Sequence, residues 1–177
     1  MRTNNIKEII KEYFLINPSA KLRVRQIERE LKLPLPSVIR YVKELEKEEI
    51  LKSQKVANIQ FFTSNRGQKF FIEKKLFNIK KIYSSGLIDY IKQELSNPAI
   101  AFFGSFSLGE DLESSDIDLY IETPSKKKLN LEKFEKSLKR KIQIFSYENL
   151  NKIPNKELRN NVINGVVLNG FIEVFNG

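Results

Sequence analysis

Hydrophobic residues in the first third of the chain recur every three to four positions, which is the spacing of amphipathic helices. This pattern predicts helices over residues 4–16, 24–31 and 37–48. Asn17-Pro18 should end the first helix, and we expect Leu33-Pro34-Leu35-Pro36 to form a tight connector, because proline cannot continue a helix. Two short strands are predicted next, over residues 51–56 and 59–63, with a turn at Ala57-Asn58.

Further along the chain, the spacing changes from that of helices to that of strands. A long helix is predicted from about residue 66 to 84, and a second helical stretch over residues 87–95 is ended by Asn97-Pro98. Residues 100–103 are all apolar, which predicts a buried strand. This strand runs directly into Gly104-Ser105, and a helix start is expected near Ser107.

The strand predicted over residues 116–122 alternates between polar and aliphatic side chains. One face carries Ile117, Leu119 and Ile121, and the other carries Asp116, Asp118, Tyr120 and Glu122. Because successive strand residues point to opposite faces, we expect the two aspartates to lie side by side.

The last third of the chain is less clearly patterned. Leu131, Phe134 and Leu138 mark a helix, and a strand is predicted over residues 142–145. The tail fits a hairpin that turns at Asn169-Gly170. It also fits a helix through residues 158–166 capped by the same glycine, followed by a last strand over residues 171–175.

Composition limits the available chemistry. The 177 residues, 41% of them hydrophobic, suffice for one ordinary domain or two small ones. The absence of Cys and His excludes disulfides, thiolate or imidazole zinc sites and Ser-His or Cys-His nucleophile pairs, so a metal site must use carboxylates. There is neither an apolar run long enough to span a bilayer nor a signal peptide, and we expect a cytoplasmic protein without a membrane partner.

The net charge of +9 is unevenly distributed. Residues 1–85 carry 19 Lys and Arg against 9 acids, whereas residues 86–177 carry 12 against 13. The predicted third helix has an apolar stripe, and its opposite face is basic. Three helices followed by a hairpin resemble a winged helix-turn-helix, whose third helix enters the DNA major groove. That resemblance implies that double-stranded DNA contacts Ser37, Arg40, Lys43 and Lys47, with Lys52, Lys55 and Arg66 near the wing. The alternative is a basic face that is only solvated or that binds protein.

Gly104-Ser105 and the two aspartates suggest a nucleotide site. Glycine lets the backbone approach a phosphate, Ser105 adds a hydroxyl donor, and a following helix would present unpaired N–H groups to the anion. Asp116 and Asp118 on one face would repel each other unless a hard divalent cation such as Mg²⁺ lay between them. The alternative is a strand-turn-strand whose aspartates merely face solvent.

Gly-Ser followed after ten residues by Asp-x-Asp resembles the signature of the DNA polymerase beta nucleotidyltransferase superfamily. The chain as a whole resembles an archaeal-type winged helix-turn-helix fused to a minimal nucleotidyltransferase. The resemblance implies an α/β (α+β) protein with a winged helix in residues 1–66, a connecting helix in 67–86 and a nucleotidyltransferase domain with a small mixed sheet in 87–177. It also implies Mg²⁺ at Asp116 and Asp118, and a nucleoside triphosphate, ATP being the first expectation, at Gly104 and Ser105.

One position departs from the superfamily pattern. The third carboxylate that the resemblance implies on the strand over residues 142–145 aligns with Gln143, and Glu148 would replace it only if its loop turned back. Two functions follow from the resemblance: transfer of a nucleoside monophosphate to an unknown acceptor, or a catalytically weak or inactive transcriptional regulator that senses nucleotide or binds protein. The acceptor, protein or RNA, and a homodimer are left open by the sequence.

Overall fold

The computed structural model describes residues 3–174, and it divides into two compact units, Met1–Lys74 and Lys75–Gly177. The division falls inside a single long helix, which runs through the segment predicted to connect two domains. Within the described residues, the chain is an α+β protein with two small sheets, in agreement with the predicted fold class.

Three helices form most of the first unit: α1 (Thr3–Ile16), α2 (Val24–Leu31) and α3 (Leu35–Lys47). The apolar stripe predicted on the third helix is buried, and its members are Val38, Tyr41, Val42 and Leu45. The helix nevertheless begins two residues earlier than predicted. Pro36 lies in its first turn, where a missing N–H group has no intrahelical partner to lose, so the connector is shorter than expected.

A three-stranded antiparallel sheet completes the first unit. Its strands are β1 (Lys21–Leu22), β2 (Leu51–Val56) and β3 (Ile59–Ser64), in the order β1-β3-β2. The predicted turn at Ala57-Asn58 is confirmed, and both residues have positive φ angles, 46° and 62°, as a two-residue hairpin turn requires. The two-residue strand β1 was not predicted, because it is too short to show any periodicity.

Helix α4 (Gln68–Ser84) contributes residues to both units. Lys74 is buried in the first unit, where its Nζ donates a 2.6 Å hydrogen bond to the carbonyl oxygen of Leu15. Asn78 and Ile82 are buried in the second unit, in which α5 (Leu87–Glu94) follows after Gly86. None of the helices within residues 3–174 has the length and apolar character needed to cross a membrane.

The second unit is built on a mixed sheet of four strands: β4 (Ala99–Phe103), β5 (Ile117–Glu122), β6 (Ile142–Tyr147) and β7 (Val166–Asn169). The order is β6-β5-β4-β7, in which β5 and β6 are parallel and the other two pairs are antiparallel. Besides α5 and the second half of α4, this unit contains the α-helices α6 (Gly104–Leu108), α7 (Glu132–Leu138) and α8 (Lys156–Ile163).

Both faces of this sheet are covered. The aliphatic face of β5 packs in a core with residues of α5 and with Phe134 of α7. On the opposite face, Tyr120 lies in a second core with Leu150, Ile153 and Val162. Tyr120 therefore shares the face of the aspartates, as predicted, but it is fully buried in the middle of that face. The acidic site is confined to one end of the strand.

Several boundaries in the second unit differ from the predicted ones. The helix after β4 begins at Gly104 rather than near Ser107, and β5 begins at Ile117, one residue after Asp116. Neither alternative for the tail is correct, because α8 ends at Ile163, well before Gly170, and the next strand pairs with β4 instead of forming a hairpin. Residues 171–174 form no strand, and Phe175 lies outside the described residues.

Candidate nucleotide and metal site

The predicted site residues of the second unit meet at one edge of its sheet. Strand β4 ends there, and its antiparallel neighbour β5 begins there, so Gly104-Ser105 and Asp116 flank the same edge. Strand β6 is parallel to β5 and begins at the same edge, directly after Lys139-Arg140-Lys141. The topology therefore brings together Gly-Ser, Asp-x-Asp and a basic segment that are up to about forty residues apart in sequence.

Gly104 and Asp118 are in direct contact across this edge. Phe103 and Asp118 are register partners in the β4–β5 pair, and the chain leaves β4 at Gly104 with a φ of +71°. A Cβ atom built on Gly104 would lie only 2.6 Å from Oδ2 of Asp118. Two independent reasons therefore require glycine at this position: the left-handed backbone, and the carboxylate that occupies the space of a Cβ atom.

Ser105 lies next to this contact, in the helix α6. That helix has only five residues, so it cannot supply the dipole that a longer helix would direct at an anion. Ser105 is half-buried, and the hydroxyl of Ser107 donates a 2.8 Å hydrogen bond to the carbonyl oxygen of Gly104 in this turn. The sequence signature thus identified the turn correctly. The predicted contribution of a helix N-terminus to anion binding was too large, because α6 is so short.

The two aspartates differ in exposure. Asp116 is exposed just before β5, and Asp118 is half-buried on the strand. Burial, together with the nearby negative charge of Asp116, raises the pKa of the Asp118 carboxyl above its ordinary value. A divalent cation between the two carboxylates would remove this repulsion, and carboxylate oxygens are the ligands that Mg²⁺ prefers.

No third acid joins this pair within residues 3–174. In the parallel β5–β6 pair, the register partner of Asp118 is Gln143, and paired residues present their side chains on the same face. Glu148 lies five residues further along, past the end of β6 at Tyr147. At about 3.3 Å per strand residue this is roughly 16 Å from the Gln143 position, so Glu148 cannot replace the acid.

A buried polar cluster next to the site was not predicted from the sequence. Asn78 of α4 donates from Nδ2 to the carbonyl oxygen of Phe106 and to Oδ1 of Asp111, both at 2.8 Å. Asp111 in turn lies 3.7 Å from Nη2 of Arg140. A single Asn inside a helix has no distinctive sequence pattern, and only the fold places it beside these partners.

Asp116 also lines a cleft of about 570 Å³, whose lining does not include Gly104, Ser105 or Asp118. Its walls are the loop at residues 113–116, one side of α7 and the basic segment before β6. Lys141 in this cleft is paired with Glu135 at 3.2 Å, and Asp116 lies in the wall. The Asp116 carboxylate is therefore reached from solvent through a cleft of mixed charge.

The residues predicted to contact DNA lie in the first unit. Arg40, Lys43 and Lys47 are exposed on α3, opposite its buried stripe, and Lys55 is exposed on β2. Ser37 is half-buried in the first turns of α3. The guanidinium of Arg40 lies over the ring of Tyr41, 4.3 Å from its centroid, and 3.6 Å from Glu44.

The family model described as "Nucleotidyltransferase domain" matches residues 84–168. The match covers just under half of the chain and includes Gly104, Ser105, Asp116, Asp118 and Gln143, whereas the first unit lies outside it. No curated protein and no solved structure gives a significant match to the chain.

Proposed function

Because the chain contains a nucleotidyltransferase domain, we propose that its second unit binds a nucleoside triphosphate with Mg²⁺ and transfers the nucleoside monophosphate to an acceptor. One observation carries this proposal, namely that the Asp118 carboxylate lies against the bare Cα of Gly104. A turn suited to phosphate and a pair of carboxylates suited to a cation are thereby side by side. Ser105 would bind phosphate, Asp116 and Asp118 would hold the cation, and ATP is the first candidate nucleotide.

The proposed reaction is an in-line displacement at phosphorus. A hydroxyl oxygen of a protein or RNA acceptor forms a bond to the α-phosphorus, the bond from that phosphorus to the bridging oxygen breaks, and pyrophosphate leaves. The bound cation would neutralise charge that develops on the phosphate oxygens. Asp116 and Asp118 would hold the cation, and the hydroxyl proton of the acceptor must pass to a base.

The absence of a third acid favours a second candidate function. Gln143 occupies the position beside Asp118, and an amide neither binds a second cation well nor accepts the nucleophile's proton. We therefore expect transfer to be slow, and a catalytically weak regulator that senses nucleotide or binds protein is the alternative function. Nucleotidyl transfer and nucleotide sensing both require the same cation-dependent nucleotide binding and differ in turnover, whereas a regulator that only binds protein requires neither.

Two assays distinguish three cases: nucleotidyl transfer, nucleotide binding without transfer, and no nucleotide binding at this site. Calorimetry should show ATP binding that requires Mg²⁺ and is strongly weakened by Asp116→Asn, whereas Asp89→Asn, which changes an exposed acid of α5, should have no effect. Incubation of a lysate with ATP labelled at the α-phosphate, compared with γ-labelled ATP, tests transfer. Label from the α-position alone supports nucleotidyl transfer, and binding without any label supports the regulator. Equal ATP affinity in wild type and Asp116→Asn contradicts both transfer and nucleotide sensing at this site and leaves the regulator that binds protein.

For the first unit we propose binding to double-stranded DNA. Three helices followed by a hairpin, with a short strand between the first two helices, is the element order of a winged helix-turn-helix. The exposed face of α3 supports this proposal because Arg40, Lys43 and Lys47 lie together on it, and Lys55 extends the basic surface onto the hairpin. Regulation of transcription, or delivery of the second unit to DNA, would follow from such binding.

The salt dependence of binding tests this proposal. Each lysine or arginine that contacts a phosphate releases counterions, and its loss should lower the salt slope of log K by about one. Arg40→Ala together with Lys43→Ala should therefore weaken duplex binding at low salt and flatten the slope. The matched control is Lys126→Ala with Lys128→Ala, two exposed lysines of the second unit. Binding that is absent at low salt, or that both pairs reduce equally, would exclude α3 as a DNA contact.

A further inference from the structure

Asn78 connects the two least regular segments of the site. It is 2% exposed, and the two hydrogens of its amide nitrogen are donated to Phe106 in α6 and to Asp111 in the loop that leads to Asp116. Helix α6 and this loop lie outside the strand pairing of the sheet. Asp118 and Gln143, by contrast, are fixed by backbone hydrogen bonds between strands.

The same cluster reaches the third segment of the site edge. Asp111 is 1% exposed, and the side chain of Arg140, 9% exposed, approaches its Oδ2. Arg140 lies two residues before the start of β6 at Ile142, so the cluster links the Gly104-Ser105 turn, the loop before Asp116 and the segment that leads into β6 to α4. Burying an amide, a carboxylate and a guanidinium is unfavourable relative to apolar packing, and in some proteins such groups are retained because they fix a single geometry.

We propose that Asn78 is a positioning residue that holds the Gly104-Ser105 turn in register with Asp116. This inference rests on the proposed nucleotide site. Without Asn78, α6 and the loop lose their common donor, and the phosphate turn is no longer fixed relative to the carboxylates. The two carboxylates themselves remain on and next to β5, so the cation site should survive when the phosphate turn is displaced.

The test compares Asn78→Ala with Tyr83→Phe. Tyr83 lies on the same helix, and its hydroxyl donates a 2.6 Å hydrogen bond to the carbonyl of Leu168, remote from α6 and the aspartate loop. Each variant thus removes one hydrogen-bonding side-chain group from the part of α4 that belongs to the second unit. Two affinities are measured: Mg²⁺-dependent ATP affinity by calorimetry, and affinity for Mn²⁺ alone by electron paramagnetic resonance.

Asn78→Ala should weaken ATP binding at least about tenfold while changing Mn²⁺ affinity less than about threefold, and Tyr83→Phe should change both less than about twofold. A merely structural role would lower both affinities of Asn78→Ala together. Asp111→Asn is the milder second variant, because its amide oxygen still accepts from Asn78 while its charge opposite Arg140 is lost. Asp111→Asn should also weaken ATP binding more than Mn²⁺ binding, but by a smaller factor than Asn78→Ala.

Asp116→Asn separates the failure of this inference from failure of the proposed function. If Asp116→Asn abolishes ATP binding but Asn78→Ala behaves like Tyr83→Phe, or loses ATP and Mn²⁺ affinity equally, Asn78 has no positioning role. If Asp116→Asn leaves ATP binding unchanged, the assignment of the nucleotide site is wrong, and the proposed role of Asn78 is then wrong as well. Hydrogen exchange in β4 and β5 verifies that each variant is folded; a variant of Asn78 that does not fold leaves Asp111→Asn to decide.

Discussion

Gly104→Ala is the sharpest test of the contact on which the candidate site depends. The new methyl group would have to adopt the left-handed backbone at φ +71°, which costs about 1–2 kcal/mol for a residue with a Cβ. It would also lie 2.6 Å from Oδ2 of Asp118, so that the carboxylate must rotate away. An off-rotamer side chain costs about 0.5–1.5 kcal/mol. The sum is a loss of about 1.5–3.5 kcal/mol in the free energy of unfolding.

Gly86→Ala is the matched control. Gly86 lies in the same unit with a φ of +76°, but a Cβ atom there would meet nothing within 4 Å. It should therefore cost only the backbone strain, about 1–2 kcal/mol. The effect of a new Cβ on the entropy of the unfolded chain is the same for both substitutions and cancels in the comparison. The difference between the two variants isolates the clash with the Asp118 carboxylate.

Urea unfolding followed by circular dichroism, with hydrogen exchange of β4 and β5 to report on the second unit, measures both costs. In an Asp118→Ala background, the added cost of Gly104→Ala should fall to that of Gly86→Ala, because the carboxylate is gone. Gly104→Ala should also lose Mg²⁺-dependent ATP binding, whereas Gly86→Ala should retain it. The reasoning is refuted if Gly104→Ala is no more costly than Gly86→Ala, or if its cost does not change when Asp118 is replaced.

Three further outcomes follow from the same site. Since burial and the charge of Asp116 raise the pKa of Asp118, protons should displace the cation at a higher pH than at an ordinary aspartate. Calorimetry should show Mg²⁺-dependent ATP binding that is complete above the raised pKa and lost as the pH falls through it; retention down to the ordinary range would contradict the assignment. In the cation-free protein, the contribution of Asp118 to the free energy of unfolding has the opposite pH dependence, because the folded state binds the proton more tightly than the unfolded chain. This stabilising contribution is complete below the ordinary pKa of aspartate and is lost as the pH rises through the raised pKa of Asp118. Asp118→Asn should therefore raise the melting temperature of the cation-free protein at neutral pH. Finally, Gln143→Asp should increase the rate of label transfer, by up to the hundred- to ten-thousand-fold typical of a positioned base, relative to Gln143→Ala; equal rates would mean that this position does not face the reacting group.

Apolar periodicity predicted the helices of the first unit well, and an unbroken run of four apolar residues predicted the buried strand of the second unit. Where proline or glycine intervened, local rules were ambiguous. Pro36 was predicted to lie in a connector, but it lies in the first turn of α3. Gly170 was predicted to cap a helix or form a hairpin turn, but the strand before it, β7, pairs with β4. Such pairing between distant segments depends on tertiary contacts that a local pattern does not contain.

In the candidate site, too, local sequence features were predictable and features that depend on tertiary contacts were not. Gly104, Ser105, Asp116 and Asp118 were predicted because their residue types and spacing form a signature. The contact between Gly104 and Asp118, the register of Gln143 and the cluster around Asn78 depend on how strands pair, and became visible only in the fold.

The pairing of Gln143 with Asp118 also bears on how this protein changes over generations. Gln143 is exposed at the start of an edge strand, so replacing it disturbs no core and should alter stability little. A glutamine codon becomes a glutamate codon by one base change, which would put an acid directly beside Asp118. Under the proposed function the bound cation would offset the added charge, so an acid could be gained or lost at this position without disturbing the core. Under the proposed function, one base change in this codon would alter turnover while the architecture stayed the same.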